Sequence, residues 1–306
     1  MATLPERTRT YRCHHFDSTR WDYFEPRADD IIIATSYKAG TTWTQAIVAH
    51  LLFPDGDLPA GPAELSPWLD MRIVPLEVAL NALKAQQHRR FIKTHLPLDG
   101  MLYDERLKYL YVARDARDVF MSLWNHYSSM TNEILTVMNL LPGREGDEFP
   151  RPPEDLHDFW RSWMTKGWFE GETDGWPYWS HLSGVQSWWN FRHLPNLQLV
   201  HYSDLLEDTE GEMRRIADFL EIDVPARAWP AVVKAVSFME MKRQGERYAP
   251  GGGHFWKGGA QTFLHKGTNG RWRDVLSAEE LKLYDAACER ALTPECRAWL
   301  ENGGVI

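Results

Sequence analysis

Cysteine is scarce in this sequence, and the few thiols follow no pattern. Only Cys13, Cys288 and Cys296 occur, and an odd, scattered set cannot form a paired disulfide framework. These thiols also lack the close pairing of zinc ligands. We therefore expect reduced thiols, and neither the cysteines nor any acidic motif predicts a metal site.

Long apolar runs are missing as well. No run approaches the roughly 20 apolar residues that span a bilayer, so we expect no transmembrane segment. The first residues, MATLPERTRTYRCHH, are charged and lack the apolar centre of a secretory signal. These two absences predict a cytoplasmic protein.

An excess of positive charge is also absent. The 306 residues carry 43 acidic and 34 basic side chains, which gives a formal net charge of -9. Proteins that bind the phosphate backbone of nucleic acids need a positive surface, so we expect no nucleic-acid partner. Any anion site must be built locally.

What the sequence does contain is an alternation of strand and helix patterns. Short apolar stretches typical of strands lie at 29–35, 89–95, 108–114 and 196–202, and helical spacing follows at 41–53, 118–130 and 206–220. Strands that alternate with helices favour a mainly parallel sheet covered on both faces. The predicted fold is therefore α/β, a P-loop-like three-layer fold with a central, mainly parallel sheet flanked by helices.

Two segments depart from this alternation. Residues 131–183 lack strand patterns, and we predict that they form a helical insertion over the sheet. Seven of the fifteen tryptophans lie between positions 160 and 189, and such a cluster is either core or the wall of a pocket. Residues 244–271 hold six glycines before Lys266, which predicts a mobile lid because ordering glycine is costly.

The segment TSYKAGTTW, residues 35–43, follows the first predicted strand. It places Lys38 and Gly40 at the turn before a helix that begins with Thr41 and Thr42. Backbone amides and the helix dipole converge on an anion at such a turn, and a lysine adds positive charge. The lysine precedes the glycine, so this is not a Walker A loop. The alternative is a threonine-capped helix start without a ligand.

The segment FIKTHLP places Lys93 and His95 two residues apart at the end of the second strand. Side chains at this spacing on a strand point to the same side. A histidine with a pKa near the usual value of about 6.5 can take a proton from a hydroxyl at neutral pH. A purely structural role for His95 is the alternative.

The segment YVARDARDVFMS follows the third strand and offers a second anion site. Arg114 can donate two parallel hydrogen bonds to a phosphate, and Ser122 on the next helix can add a hydroxyl donor. The alternative is a set of surface ion pairs between Arg114, Arg117 and the neighbouring aspartates.

Together these segments resemble sulfotransferases that use 3'-phosphoadenosine 5'-phosphosulfate (PAPS). TSYKAGTTW is similar to the family's TYPKSGTTW, KTHLP to the segment with the catalytic histidine, and YVARDARDVFMS to YVARNAKDVAVS. The resemblance implies His95 as the catalytic base, with Lys38 and Lys93 assisting at the transferring group. It also implies a set of PAPS ligands in the first half of the chain: Lys38, the amides of Ala39, Gly40, Thr41, Thr42 and Trp43, the Trp43 ring, Arg114 and Ser122.

The second half of the chain extends the resemblance to the nucleotide base. Tyr202 in LVHYSDLLED and the pair Ser237 and Phe238 in AVSFMEMK match positions that contact adenine in the family. Val236 replaces a threonine there. The resemblance therefore implies an adenine site with one altered position.

HKGTNGRWRDVL, residues 265–276, resembles the family's RKGxxGDWKNxF. The resemblance implies that His265, Lys266 and Gly267 bind the 3'-phosphate of PAPS. His265 stands where the family has arginine, and Arg271 stands where it has aspartate. A neutral histidine offers one donor and no charge, so we expect a weaker or pH-dependent hold on the 3'-phosphate.

The resemblance covers nearly the whole chain, and it implies one sulfotransferase domain over residues 1–306 that transfers a sulfuryl group to a hydroxyl without a metal. SPWLDMRIVPLE and AQQHRRFIKTHLPLDG are also similar to bacterial glycolipid sulfotransferases. The acceptor remains open among phenols, alcohols, sugars and glycolipids, as does the oligomeric state. A P-loop nucleotide kinase and a nucleotide- or lipid-binding module without chemistry are the alternatives.

Overall fold

The computed structural model describes residues 4–143 and 145–306. Within these residues a four-stranded parallel sheet forms the centre, with the strand order β2-β1-β3-β4. The strands are β1 Ile31–Thr35, β2 Phe91–Thr94, β3 Lys108–Ala113 and β4 Leu197–His201. All four lie inside the stretches that the sequence predicted, which confirms the α/β fold class.

Helices make up most of the remaining regular structure in the described residues. They are α1 Thr41–Leu52, α2 Pro62–Leu65, α3 Leu76–Ala85, α4 Ala116–Ser128, α5 Asn132–Leu140, α6 Leu156–Thr165, α7 His181–Trp189, α8 Tyr202–Glu207, α9 Thr209–Leu220, α10 Trp229–Ala235, α11 Phe238–Arg243, α12 Gly245–Tyr248, α13 Ala260–Phe263, α14 Ala278–Ala291 and α15 Pro294–Asn302. Short 3-10 helices lie at Ser18–Tyr23, Leu98–Gly100 and Pro250–Gly253. None of the described helices has the length and apolarity that crossing a bilayer requires.

The sheet separates two hydrophobic layers. Successive side chains of a strand point to opposite faces, so Ile31 and Ile33 pack with α1, α9 and α10, whereas Ile32 and Ala34 pack with α4, α6, α7 and α14. Every residue of β1 is buried. Burial on both faces explains why this strand is uniformly apolar instead of alternating with polar residues.

The prediction of one helix over residues 206–220 is wrong, because the structure divides this stretch. Asp208 ends α8 and caps α9, and its carboxylate accepts a hydrogen bond of 2.9 Å from the amide of Gly211. An aspartate at a helix start satisfies an amide that has no partner inside the helix. Side-chain capping therefore overrides the continuous helical spacing at this point.

The predicted insertion is helical in its described residues, where α5 and α6 form and no strand does. Its tryptophans divide between the two interpretations. Trp160 and Trp163 are fully buried in the layer that contains α4 and α14. For these two, the core interpretation is right.

Candidate active site

The carboxyl ends of the four strands meet at one edge of the sheet, where ligands of open α/β folds bind. The turn after β1 begins at Ser36, while His95 comes directly after β2, Arg114 directly after β3 and Tyr202 directly after β4. The structure therefore brings together the residues that the sequence placed at strand ends.

The turn between β1 and α1 has an unusual backbone. Lys38 has φ of 60° and Gly40 has φ of 120°, and the latter value favours glycine. A Cβ at Gly40 would lie 3.0 Å from the ring of Tyr202. No side chain caps α1, which starts at Thr41. The first amides of α1 therefore have no side-chain partner, which the predicted anion site at this turn requires.

Lys38 extends from this turn into an aromatic pocket. Its Nζ lies 3.3 Å from Nδ1 of His126 and 4.6 Å from the ring centre of Phe263. Burial, followed by the positive charges of Lys93 and Arg114, lowers the pKa of Lys38 to about 7. An anion bound here would restore the charge of the lysine.

His95 is held in one tautomer by the strand beside it. Its Nδ1 lies 2.8 Å from the carbonyl oxygen of Thr35, and a carbonyl can only accept, so Nδ1 carries the proton. Nε2 is then the unprotonated nitrogen. Burial, followed by the charge of Lys93, holds the pKa of His95 well below its usual value. The ring is therefore neutral at pH 7, with Nε2 able to accept a proton.

Trp68 links the two residues of the FIKTHLP segment. Nζ of Lys93 lies 4.3 Å from the ring centre of Trp68, and the His95 ring meets the same indole edge-on at 4.7 Å. Lys93 and His95 thus point to one side, as predicted. The Trp68 indole donates a hydrogen bond to buried Asp70, which also accepts one of 2.6 Å from Thr94. Asp70 is the carboxylate that favours the charged form of Lys93.

His181 joins the two predicted anion sites, and sequence reasoning missed it. At the start of α7, its Nδ1 lies 2.5 Å from Oγ of Ser36 and its Nε2 lies 3.2 Å from the carbonyl oxygen of Arg114. Burial lowers its pKa to about 4. A neutral ring can donate from Nε2 and accept the hydroxyl proton of Ser36 at Nδ1, so both bonds are satisfied.

Arg114 does not form the predicted alternative of surface ion pairs. It is buried, donates from Nε to Asn269 at 2.9 Å and from Nη2 to the carbonyl of Thr268 at 2.9 Å, and stacks 4.2 Å from the ring centre of Tyr202. Its neighbour Arg117 pairs with Asp115 instead. The C-terminal segment is therefore folded directly onto Arg114.

Ser122 lies half-buried on α4, and its hydroxyl makes no hydrogen bond to the described residues. It is four residues after Asp118, so both share one face of the helix. Asp118 accepts a hydrogen bond of 2.7 Å from the amide of Gly270. Ser122 consequently faces the side of α4 that meets the C-terminal segment.

The residues expected at adenine also lie together. The Trp43 indole donates a 2.9 Å hydrogen bond to the carbonyl of Val236 and meets the Tyr202 ring edge-on at 5.4 Å. Ser237 caps α11, and Phe238 is close enough to Gly267 that a Cβ there would lie 2.6 Å from its ring. Trp43 thus contacts both Tyr202 and the backbone beside Ser237, while Phe238 packs against Gly267 of the C-terminal segment.

The segment from His265 contributes a group of positive side chains. Lys266 is exposed, whereas Nδ1 of His265 is buried without a hydrogen-bond partner in the described chain. Burial lowers the pKa of His265, and the neighbouring Arg271, Lys266 and Lys242 lower it further. The His265 ring is therefore neutral and has positively charged side chains around it.

A cluster of potential metal ligands lies behind the pocket and does not fit a cation. Ligand atoms of Cys13, His14 and His15 lie within 4.8 Å of one another. Burial raises the pKa of the Cys13 thiol to about 12, although metal binding needs the thiolate. Burial, followed by the positive charges of Lys93 and Arg72, lowers the pKa of His15 to about 3. The surroundings disfavour a further positive charge.

The chain is similar to sulfotransferases over most of its length. The family model described as the sulfotransferase domain matches residues 28–295. Glycolipid sulfotransferases of Mycobacterium bovis and Mycobacterium tuberculosis are each 33% identical to this chain, and the match covers 96% of this chain and 94% of theirs. Sulfotransferase 1A1 of the dog is 28% identical over 86% of this chain and 83% of its own.

Solved structures show the same fold. A mouse sulfotransferase complexed with PAP superimposes with a TM-score of 0.68 at 20% identity, and the match covers 92% of this chain and 90% of the other. A retinol dehydratase in complex with androsterone and the inactive cofactor PAP gives 0.66 at 23% identity, covering 91% and 87%. The predicted arrangement of a parallel sheet between helices is thereby confirmed.

Proposed function

This chain belongs to the sulfotransferase domain family, and from that premise we propose that it transfers the sulfuryl group of PAPS to a hydroxyl, with His95 as general base. The observation that carries the proposal is the orientation of His95. Its Nδ1 proton is held by the Thr35 carbonyl at 2.8 Å, which leaves Nε2 as the basic nitrogen beside Lys93. A cytoplasmic location suits the three buried, unpaired thiols.

The proposed step is a direct displacement. The acceptor hydroxyl gives its proton to Nε2 of His95 while its oxygen forms a bond to sulfur, and the bond from sulfur to the 5'-phosphate oxygen breaks. Lys38 and the first amides of α1 neutralise the leaving phosphate. Lys93, oriented by Trp68, stabilises the oxygens of the transferring group. These charges supply what a metal supplies elsewhere, so we propose turnover without one.

The remaining site residues are proposed as nucleotide ligands. Trp43, Tyr202, Ser237 and Phe238 would hold adenine, since the Trp43 ring contacts Tyr202 and donates to the carbonyl of Val236, directly before Ser237 and Phe238. Arg114 and Ser122 with the segment His265, Lys266 and Gly267 would hold the 3'-phosphate, because that segment is folded onto Arg114. Ala39, Gly40, Thr41 and Thr42 would supply backbone amides to the 5'-phosphosulfate.

We propose a sugar hydroxyl of a glycolipid as the acceptor. Residues around His95 and Lys38 combine aromatic rings with imidazoles: Trp68, Trp179, His126 and Trp256. Aromatic faces suit the apolar face of a sugar ring, and imidazoles can hydrogen-bond to its hydroxyl groups. The related mycobacterial proteins are named for the same class of acceptor.

The test is single-turnover transfer from radiolabelled PAPS to glycolipid and phenol acceptors. We expect His95→Ala to lower the rate by about 100-fold or more, because general-base catalysis is lost, while affinity for the nucleotide product stays within about twofold. The exposed His193 provides the matched control, and His193→Ala should keep the wild-type rate. A His95→Ala protein with near wild-type turnover would remove His95 from the mechanism.

The same assay separates the alternatives. A binding module without chemistry would bind the nucleotide and transfer no label, and a nucleotide kinase would use ATP with magnesium instead of PAPS. The family match gives the kinase alternative no support.

A further inference from the structure

The side chain of Arg271, in the C-terminal segment, has no hydrogen bond or ion pair to the described residues. Its Nε is buried without a hydrogen-bond partner, and the described residues offer it no carboxylate within ion-pair distance. Other arginines nearby are engaged, since Arg117 pairs with Asp115 and Arg273 stacks on Trp272. A buried guanidinium N–H without an acceptor is unfavourable, so this arrangement points to a ligand.

The side chains around Arg271 indicate that this ligand carries negative charge. Burial lowers the pKa of Arg271, and the positive charge of Arg114 acts in the same direction. Lys266 and Lys242 add further positive charge beside His265. Asp118 is the acidic neighbour, and one of its oxygens is already occupied by the amide of Gly270. An anion would satisfy this cluster, which lies in a chain whose net charge is -9.

The other candidates for binding the anion are partly committed. Arg114 uses Nε and Nη2 on Asn269 and Thr268, and His265 is neutral among its cationic neighbours. Arg271 has a buried donor without a partner and a guanidinium that matches two oxygens of a phosphate at once. The proposed function places the 3'-phosphate of PAPS at this segment, so the anion that Arg271 would meet is a phosphomonoester.

We propose that Arg271 binds the 3'-phosphate of the nucleotide and supplies the positive charge that position 265 lacks in this chain. This inference rests on the proposed function, because it takes the ligand to be PAPS. The histidine at position 265 led us to expect weak binding of the 3'-phosphate. The proposal revises this expectation, since Arg271 supplies a positive charge six residues further along the same segment. Arg271 thereby decides between nucleotides with and without a 3'-phosphate.

The test compares two nucleotides that differ only in that group, PAP (adenosine 3',5'-bisphosphate) and adenosine 5'-phosphate. Calorimetric titration should show that Arg271→Gln weakens PAP binding by about tenfold or more, as expected for a lost charge-assisted bond. Binding of adenosine 5'-phosphate should change by less than about twofold. Arg273→Gln, two residues away and exposed, is the matched control and should change neither affinity.

Each other outcome overturns the inference in a distinguishable way. If Arg271→Gln weakens both nucleotides equally, Arg271 acts on the site in general and not on the 3'-phosphate. If PAP affinity is unchanged, Arg271 does not touch the ligand. If the wild-type protein fails to bind PAP, the proposed function fails together with the inference. Arg271→Lys keeps the positive charge but cannot bind two phosphate oxygens at once, so it should retain part of the preference for PAP. This variant also shows whether an effect of Arg271→Gln comes from a folding defect.

Discussion

Lys38 and Lys93 lie near each other at the ends of β1 and β2, and buried Asp70 is the acidic neighbour of Lys93. Burial lowers the pKa of Lys38 to about 7 and that of Lys93 to about 8. Near neutral pH the ligand-free site therefore holds both protonated and neutral lysines. A phosphate dianion favours the protonated form, so nucleotide binding and proton uptake are coupled.

We expect the affinity for PAP to fall as pH rises from about 6.5 to about 9, because the protonated fraction of both lysines decreases over this range. Calorimetric titration at several pH values measures the slope. Lys38→Arg is the matched variant, since arginine stays charged throughout, and its profile should be flatter. Identical slopes for the two proteins would contradict the role given to Lys38.

Stability of the ligand-free protein should have the opposite pH dependence. Burial keeps the pKa of Lys38 in the folded protein well below the usual lysine value of about 10.4. Between about pH 7 and pH 10 the unfolded chain therefore binds more protons than the folded one. The free energy of unfolding therefore rises with pH in this window as far as Lys38 contributes. A bound anion removes the effect by raising the folded pKa.

At the scale of elements, the glycine-rich segment of residues 244–266 packs against the turn between β1 and α1 and its surroundings. Trp256 packs 4.9 Å from His126, and the ring of Phe263 lies beneath Nζ of Lys38. In the described residues, a small number of backbone hydrogen bonds connect the segment to the end of α4 and the start of α5. The amide of Thr131 donates to the carbonyl of Phe255, and the amide of Lys257 donates to the carbonyl of Ser129. Gly251 and Gly252 have φ values of 56° and 64°, which a left-handed turn requires.

This anchoring predicts a lid whose stability depends on the ligand. Amide hydrogen exchange of residues 244–266 should slow when PAP is added, since the nucleotide would bridge the segment to Arg114 and the phosphate turn. The strands of the sheet are the internal control and should exchange slowly with and without PAP. Equal exchange of the segment in both states would exclude a lid.

At the scale of the whole molecule, the insertion shares its core with the sheet. Trp163 donates a 2.9 Å hydrogen bond to the hydroxyl of Tyr37, which in turn donates to the carbonyl of Trp179. Trp160 donates to the carbonyl of Glu280 near the other end of the chain. These contacts tie the phosphate turn, the insertion and α14 together, and we propose that residues 1–306 fold as one domain.

Two tryptophans of the insertion should therefore respond differently to substitution. Trp160→Phe should lower the free energy of unfolding by about 1–3 kcal/mol in a single transition, with the KM for the acceptor unchanged, because Trp160 is remote from His95. Trp179, whose ring lies 5.8 Å from that of His95, should change the acceptor KM when replaced by Phe. Denaturant unfolding and steady-state kinetics measure the two effects. Two separate transitions would instead show that the insertion is its own domain.

The sequence by itself determined the units that consist of neighbouring residues. A strand, a turn with Lys38 and Gly40 and a helix follow from apolar spacing and backbone preference over some twenty positions, and so do Lys93 with His95 and Arg114 at their strand ends. Parallel strands then bring these ends to one edge of the sheet. The fold class and the position of these candidate residues at the strand ends were predictable for that reason.

The tertiary structure alone decided which distant side chains complete the site. Ser36 and His181 are 145 residues apart in the chain, and Arg114 and Asn269 are 155 apart, so no local pattern relates them. Burial and electrostatic interaction also depend on neighbours from several elements. The sequence therefore left both the core and the pocket-wall interpretation of Trp160 open, and it could not predict the neutral state of His95 or the unpartnered donor of Arg271.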